Sequence, residues 1–388
     1  MKGKLTGIVL GAGASYCYSE ASCGIPTQQD IIGRLFFGAH TSSGEGFPSF
    51  TDTFGLRHSF GLARYLRSKF DIPEKSENSN SKMDYWSILQ HRGLNLESLY
   101  AEIENDPDAS TYLADFEAIV RNAVLSPTGE RQANQVCKYH RMLCEALEPG
   151  DYIIDFNWDT VMSDALLYHS HFWFPSTGFG VPIMGTLLPK SQKSCHIDSL
   201  VALFHIHGSS ILFERHDVAA GTRAQALYVG PKQWSPGTGL IALAGLPPDE
   251  ISKKGFGPKL TRENEDRIAK GWIVLQGKWF RPIFVPPSRH KPQYSNWYCS
   301  EMRRRIHSLL PDTKQLIIAG YSFPSADTEY LSQVFVDRIL HPELEVKVVN
   351  QENQDVSFQE RVSAALPTVQ PSYPFDDFRE FCKSLAAL

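Results

Sequence analysis

The 388-residue sequence predicts an α/β protein: a doubly wound, Rossmann-like parallel sheet carrying a mainly helical insertion. Three observations lead there. Four short apolar runs, over 5–10, 152–156, 203–206 and 316–319, each end in a glycine or polar motif. Apolar residues at helical spacing lie between them, the alternation that builds parallel sheets through crossover helices. The first run enters a glycine-rich turn, Gly11-Ala12-Gly13-Ala14-Ser15. In an open sheet, ligands collect at the carboxyl ends of such strands, so the motifs can converge on one crevice.

Taken in order, 1–37 reads as strand, tight turn and helix. Polar, Ser/Asn/Gly-rich stretches over 42–46 and 73–84 mark loops, with short helices expected over 60–70 and 84–89. From 95 to 147 the spacing is helical, through Leu96, Leu99 and Ile103, then Phe116, Ile119, Val120 and Val124, then Tyr139, Leu143 and Leu147. The expected organisation is thus an α/β domain over 1–37 and 148–388, interrupted by a helical insertion over 38–147 that can cover the cleft. After residue 152 the sheet resumes. Strands are expected over 211–213, 227–229 and 282–285 in a loop-rich stretch, and helices over 297–310 and 328–340. A strand is expected over 345–349 and a terminal helix from Phe375, with Asp377 and Glu380 spaced as a partial capping box.

Composition narrows the class. Hydrophobic residues make up 42% and charged residues 21% of the chain, which is ordinary for a globular protein. A formal charge of −5 excludes a globally basic, non-specific nucleic-acid binder. Arg303, Arg304 and Arg305 read as a solvated helix face. Seven scattered cysteines suit reduced thiols, no apolar stretch is long enough to span a bilayer, and the amino-terminal run reads as a strand; a cytoplasmic location is expected.

Four motifs carry chemistry. Gly11 and Gly13 let the backbone approach a diphosphate at a helix start. Tyr16 occupies the third glycine position of the hydride-transfer fingerprint, which counts against a dehydrogenase. Asn157 and Asp159 flank Trp158 past a strand end and, two apart on extended chain, point to one side. They can serve a pocket, or act as turn and helix-cap residues. His207 precedes Gly208 at another strand end and is a candidate general base, whereas His205 is the better core histidine. A metal pair of the two is conceivable, but no convincing third ligand accompanies them. Gly320-Tyr321-Ser322 is followed by Asp327, read as the cap of the helix beginning at Thr328, and Asn350 ends the 345–349 strand.

Together these motifs, with Gly24-Ile25-Pro26 after the turn, resemble the sirtuin (silent information regulator) family. They are most similar to its zinc-free bacterial branch, whose members hydrolyse NAD in antiphage defence. The resemblance covers about 1–35, 150–168, 200–212 and 280–355, and departs where the family's Asp-Phe-Arg is replaced by Thr27-Gln28-Gln29. The paired C-x-x-C motifs and acyl-lysine groove of protein-deacylating members are missing. The resemblance implies that Asn157 orders water and ribose, that Asp159 holds the nicotinamide carboxamide, and that His207 is the catalytic base. It further implies an NAD-binding set of Gly11, Ala12, Gly13, Ser15, Pro26, Gly320, Ser322 and Asn350.

The expectation is an NAD glycohydrolase releasing nicotinamide and ADP-ribose in antiphage defence, with NAD as substrate and no metal. The resemblance also implies a homo-oligomer and a HerA-like hexameric ATPase partner; from charge and composition, no direct nucleic-acid or membrane contact is expected. Two alternatives share the residues: an NAD-dependent protein deacylase, and an NAD- or ADP-ribose-sensing module without turnover.

Overall fold

The computed structural model describes residues 5–18, 31, 32, 35, 56–72, 91–125, 136–181, 183–187, 200–215, 226–229, 267, 272–275, 278–286, 297–324, 327–331, 334, 335, 340, 341 and 343–386. The chain opens with β1 (Leu5–Leu10), α1 (Ala12–Ser15), α2 (Leu56–Lys69), α3 (Leu96–Asn105), α4 (Leu113–Leu125) and α5 (Lys138–Ala146). It continues through β2 (Tyr152–Asp155), α6 (Val161–His169), β3 (Ile183–Leu187), β4 (Ala202–His205), β5 (Gly208–Arg215), β6 (Ala226–Val229), β7 (Ile273–Leu275) and β8 (Lys278–Phe284). The last part holds α7 (Trp297–Leu309), β9 (Thr313–Ala319), α8 (Thr328–Leu331), β10 (Glu345–Val349), α9 (Val356–Ala365), β11 (Ser372–Phe375) and α10 (Phe378–Leu385).

Six strands form one sheet in the order β11-β10-β9-β1-β2-β4, and every neighbouring pair is parallel. Counted along the chain within this sheet, the order is the 3-2-1-4-5-6 of a doubly wound Rossmann fold. The chain steps outward from β1 through β2 to β4, then resumes beside β1 at β9 and steps the other way. Right-handed crossovers therefore put helices on opposite faces. Both faces are covered, so the central strands are largely apolar: Ile8, Val9, Leu10, Ile153, Ile154, Leu316 and Ile318 are all buried.

A second sheet of five strands, β3-β6-β5-β8-β7, lies beside the first in sequence. It is mixed: β3 runs parallel to β6, while β5 pairs antiparallel with β6 and β8. Single strands were expected here at three places, and the sheet they join was not. Its other two strands give weak signals, because β3 holds Gly185 in its middle and β7 is three residues long.

Two apolar clusters result. The larger surrounds the parallel sheet and takes in α5, α6, α7, α9 and α10; the smaller joins Ile31, Ile32 and Leu35 to α2, α3 and α4. Helix α5 packs on α6 and α10, against the sheet rather than with the smaller cluster. Helix α3 starts at a reciprocal cap: Asn95 Oδ1 accepts from Ser98 N (2.7 Å), and Ser98 Oγ accepts from Asn95 N (2.9 Å). As expected of a solvated face, Arg304 and Arg305 pair with Glu301 one turn away.

The carboxyl-terminal expectation needs correcting. Phe375 closes a short edge strand rather than opening a helix, and α10 begins at Phe378 with Asp377 as its cap, accepting from Arg379 N. Pro374 cannot donate to a sheet ladder, which confines such a strand to an edge and hides it in the sequence. On α10, Phe378, Phe381 and Cys382 are buried. Of the helix expected over 328–340, Thr328–Leu331 and residues 334 and 335 are helical, while 332, 333 and 336–339 lie outside the described residues. The loops expected over 42–46 and 73–84 and the helix expected over 84–89 lie outside the described residues.

Candidate functional site

Four neighbouring strands of the parallel sheet deliver their motifs to one edge. Gly11 follows β1, Asn157 and Asp159 follow β2, His207 follows β4, and Gly320 follows β9. The β1 and β9 turns touch through backbone: Gly11 N donates to Ala319 O (3.0 Å) and Gly13 N to Gly320 O (2.9 Å). This contact requires glycine. A Cβ on Gly320, whose φ is +64°, would lie 2.1 Å from Ala14 N, and one on Gly11 would lie 2.5 Å from Tyr321 Cα. The turn's glycines thus have a packing reason independent of any ligand.

Asn157 ties β2 to that turn. Its amide nitrogen donates to Gly11 O (3.1 Å) and Ser15 Oγ (3.2 Å), while its own N–H donates to Asp155 Oδ1 (2.9 Å). With both amide hydrogens engaged, Oδ1 is the part of the side chain left for a ligand or water. Asp159 Oδ1 accepts from Val161 N (2.9 Å), so one oxygen caps the start of α6. Both residues are buried, as is Ser15.

His207 occupies the centre of the edge. Its Nδ1 stands 3.1 Å from Phe156 O, and its Nε2 stands 3.1 Å from Asp327 Oδ1. Tyr321 donates its hydroxyl to the other oxygen, Asp327 Oδ2 (2.6 Å). Phe156 meets the imidazole edge-on at 5.1 Å and lies against Tyr321 at 4.2 Å. A carbonyl fixes one ring nitrogen as a donor, and a carboxylate faces the other. Gly208 (φ +72°) lets the following strand pass close to β8: a Cβ there would sit 1.9 Å from Ile283 O. Trp158 closes this side, donating to Val285 O (3.2 Å) with its ring 4.9 Å from Phe284.

Asp327 is the residue that sequence reasoning undervalued. A helix-cap role was expected of it, yet its carboxylate links Tyr321 on the β9 turn to His207 on the β4 turn. Nothing in the sequence joins positions 207 and 327; only the order of β4 and β9 about β1 brings them together.

The remaining candidates take peripheral places. Asn350 donates to Tyr321 O (3.0 Å) and accepts from Glu352 N (3.0 Å), stapling the β9 and β10 turns. The Ser322 side chain is exposed, and its carbonyl accepts from Arg361 Nε (3.2 Å). Ala12 opens α1 in an exposed position. Pro26 lies outside the described residues.

His205 is a different kind of residue. It is fully buried, with Nδ1 3.5 Å from Asp155 Oδ2 and neither ring nitrogen hydrogen-bonded. Burial pulls its pKa down to about 3, offset in part by the Asn157 backbone. Burial likewise raises Asp155 well above the carboxylate range, and the charge of Asp159 adds to that. Burial thus disfavours the charged form of both groups, and His205 is neutral at pH 7.

Away from this edge, Cys17, Cys137 and His140 form a cluster with potential ligand atoms within 4.8 Å of one another. The Cys137 thiol is held below its ordinary range, first by a hydrogen bond from Cys17 and also by His140, against its burial. A separate cavity of about 310 Å³ between α4 and β8 is lined by Glu117, Arg121, Glu214 and Arg281 among others, and by none of the motif residues. Among the described residues, no helix is long and apolar enough to cross a membrane.

No family model matches the chain, and no curated protein matches it. Solved structures do. A Sir2 homologue variant in complex with ADP-ribose is 13% identical, with 83% of this chain and 87% of that one covered and a TM-score of 0.34. A Sir2 homologue–NAD complex is also 13% identical, covering 83% and 84% at 0.34. Sir2Tm bound to a propionylated peptide is 13% identical, covering 77% and 88% at 0.35. The class defined by the chain's own sheet order is a doubly wound α/β protein with a polar site at the carboxyl ends of its central strands.

Proposed function

We propose that the chain binds NAD at this edge and hydrolyses the bond between nicotinamide and ribose. One observation carries the reading: Asn157, the glycine turn with Ser15, and a His207–Asp327 pair converge at the ends of β1, β2, β4 and β9. Nicotinamide leaves NAD with the bonding electron pair, which discharges its ring and leaves positive character on the ribose carbon. The protein's task is to place water and remove its proton.

His207 is the base in this proposal. Phe156 O anchors Nδ1, so Nε2 is the nitrogen that exchanges protons, and Asp327 stabilises the imidazolium that results. Asn157 presents Oδ1 to water, and the free oxygen of Asp159 receives the carboxamide. Gly11, Ala12, Gly13 and Ser15 line the diphosphate, Ser322 faces the phosphates or the adenosine ribose, and Asn350 the adenine-side ribose; Gly320 and Pro26 belong to the NAD-binding set by the sequence resemblance. A general base supports turnover over a binding-only module, because retention of a ligand needs none.

Incubation of purified protein with NAD, followed by chromatography, is expected to yield nicotinamide and ADP-ribose in equal amounts without an acyl acceptor. Production only in the presence of an acylated peptide would replace this reading with the deacylase. A role in antiphage defence, a homo-oligomer and a HerA-like ATPase partner belong to the same proposal and rest on the sequence resemblance. Light scattering at micromolar concentration and co-purification with such an ATPase test them.

A further inference from the structure

The cysteines nearest the glycine turn are arranged unlike isolated core thiols. Cys137 stands at the cap position of α5 and His140 three residues on, so one helical turn presents both to the same side. Cys17 comes from the other side, immediately after the glycine turn, with its thiol on Ala14 O (3.0 Å). Cys17 Sγ and Cys137 Sγ are 3.8 Å apart, and His140 Nδ1 is 3.2 Å from Cys137 Sγ. Two thiolates at about 2.3 Å from a tetrahedral zinc stand about 3.8 Å from each other, so the sulfurs already have the spacing of shared ligands.

We propose that Cys17, Cys137 and His140 form a binding site for a thiophilic divalent ion, Zn(II), in a position unrelated to paired C-x-x-C motifs. Two soft sulfurs and an imidazole select such an ion over calcium or magnesium. Cys137 and His140 are buried, and Cys17 is half-buried, leaving the fourth position to solvent on its side. Packing orients the imidazole: its ring lies 5.0 Å from that of Phe378, and Nε2 has no polar partner. A bound ion would tie the turn that holds Asn157 to α5 and, through Phe378, to α10. The site's existence is independent of the NAD reading.

The test uses full-length protein, reduced, stripped with chelator and titrated with Co(II). The expected result is saturation near one equivalent, with a thiolate-to-cobalt charge-transfer band and the strong visible bands of a tetrahedral site, both bleached by Zn(II). Cys17→Ser and Cys137→Ser should abolish the charge-transfer band. His140→Ala should weaken binding by at least the roughly 10- to 100-fold that loss of outer-shell partners alone costs. Cys299→Ser, whose thiol lies on Ile206 O elsewhere in the core, should keep the spectrum. Absence of the band in reduced wild-type protein would overturn the proposal, whatever the variants do. So would its survival in Cys17→Ser and Cys137→Ser, or a Cys17–Cys137 disulfide that persists in thiol reductant.

Discussion

Two histidine–aspartate pairs stand within two residues of each other, one beneath the end of β4 and one just above it. Asp155 and His205 lie inside the sheet at 3.5 Å, with no hydrogen bond on either ring nitrogen. Asp327 and His207 lie at its edge at 3.1 Å, and every one of these groups has a second partner: Phe156 O for the ring, Tyr321 for the carboxylate. Composition is the same and the consequence opposite. Desolvation dominates the lower pair, where only Asp155 Oδ1 is hydrogen-bonded, and disfavours charge on both members; at the rim, hydrogen bonds reach both members of the upper pair.

Removing the upper imidazole should have the largest effect. His207→Ala is expected to lower NAD cleavage per folded molecule by about 10²- to 10⁴-fold. Unchanged turnover would dissolve the contrast between the pairs. Next, His205→Ala should cost about 2–4 kcal/mol of stability, as truncation of a buried ring does, while leaving turnover per folded molecule near wild type. Denaturant titration beside an activity assay separates the two outcomes.

Asp327→Asn should come third, lowering kcat by roughly 10- to 100-fold, the worth of one charge-assisted hydrogen bond. A change confined to KM would make Asp327 a binding residue instead. A smaller effect concerns pH. His205 takes up no proton in the fold until about pH 3, but does so near 6.5 when unfolded. Its contribution to stability is therefore full above pH 6.5 and falls as pH drops toward 3. Asp155, shifted upward, acts with the opposite sign. Melts of wild type and His205→Phe from pH 7 to 5 should show the wild type losing more. The least change is expected from Ser322→Ala, whose side chain is exposed: stability should move by less than about 0.5 kcal/mol, and only KM should report on it.

Much of the parallel sheet was legible because buried parallel strands write themselves as apolar runs. Residues 5–10 and 345–349 match β1 and β10, and 203–206 differs from β4 by one position. The start of β9 at Thr313 was missed, since Lys314 is exposed and Gln315 half-buried there. Edge strand β11, half-exposed and holding Pro374, left no such signature, nor did the joining of β3 and β7 into a second sheet. At the site, the polar residues at strand ends were visible one by one. Their pairings were not: contacts between 157 and 15, or 207 and 327, follow from strand order, which no local pattern encodes. Even the separation of His205 from His207 rested on strand position, and the hydrogen bonds that give each its character come from distant chain.

The central position of β1 also bears on synthesis. Its partner on one side, β9, begins at Thr313, so the first strand waits for about 300 further residues before its sheet can close. At roughly 5–20 residues per second, that interval is about 15–60 s on the ribosome. Until then the glycine turn lacks the backbone that packs on it, and Asp327 is not yet made. A nascent or truncated chain that stops before Asp327 cannot complete this site, so chemistry that needs the His207–Asp327 pair is withheld until translation has passed residue 327.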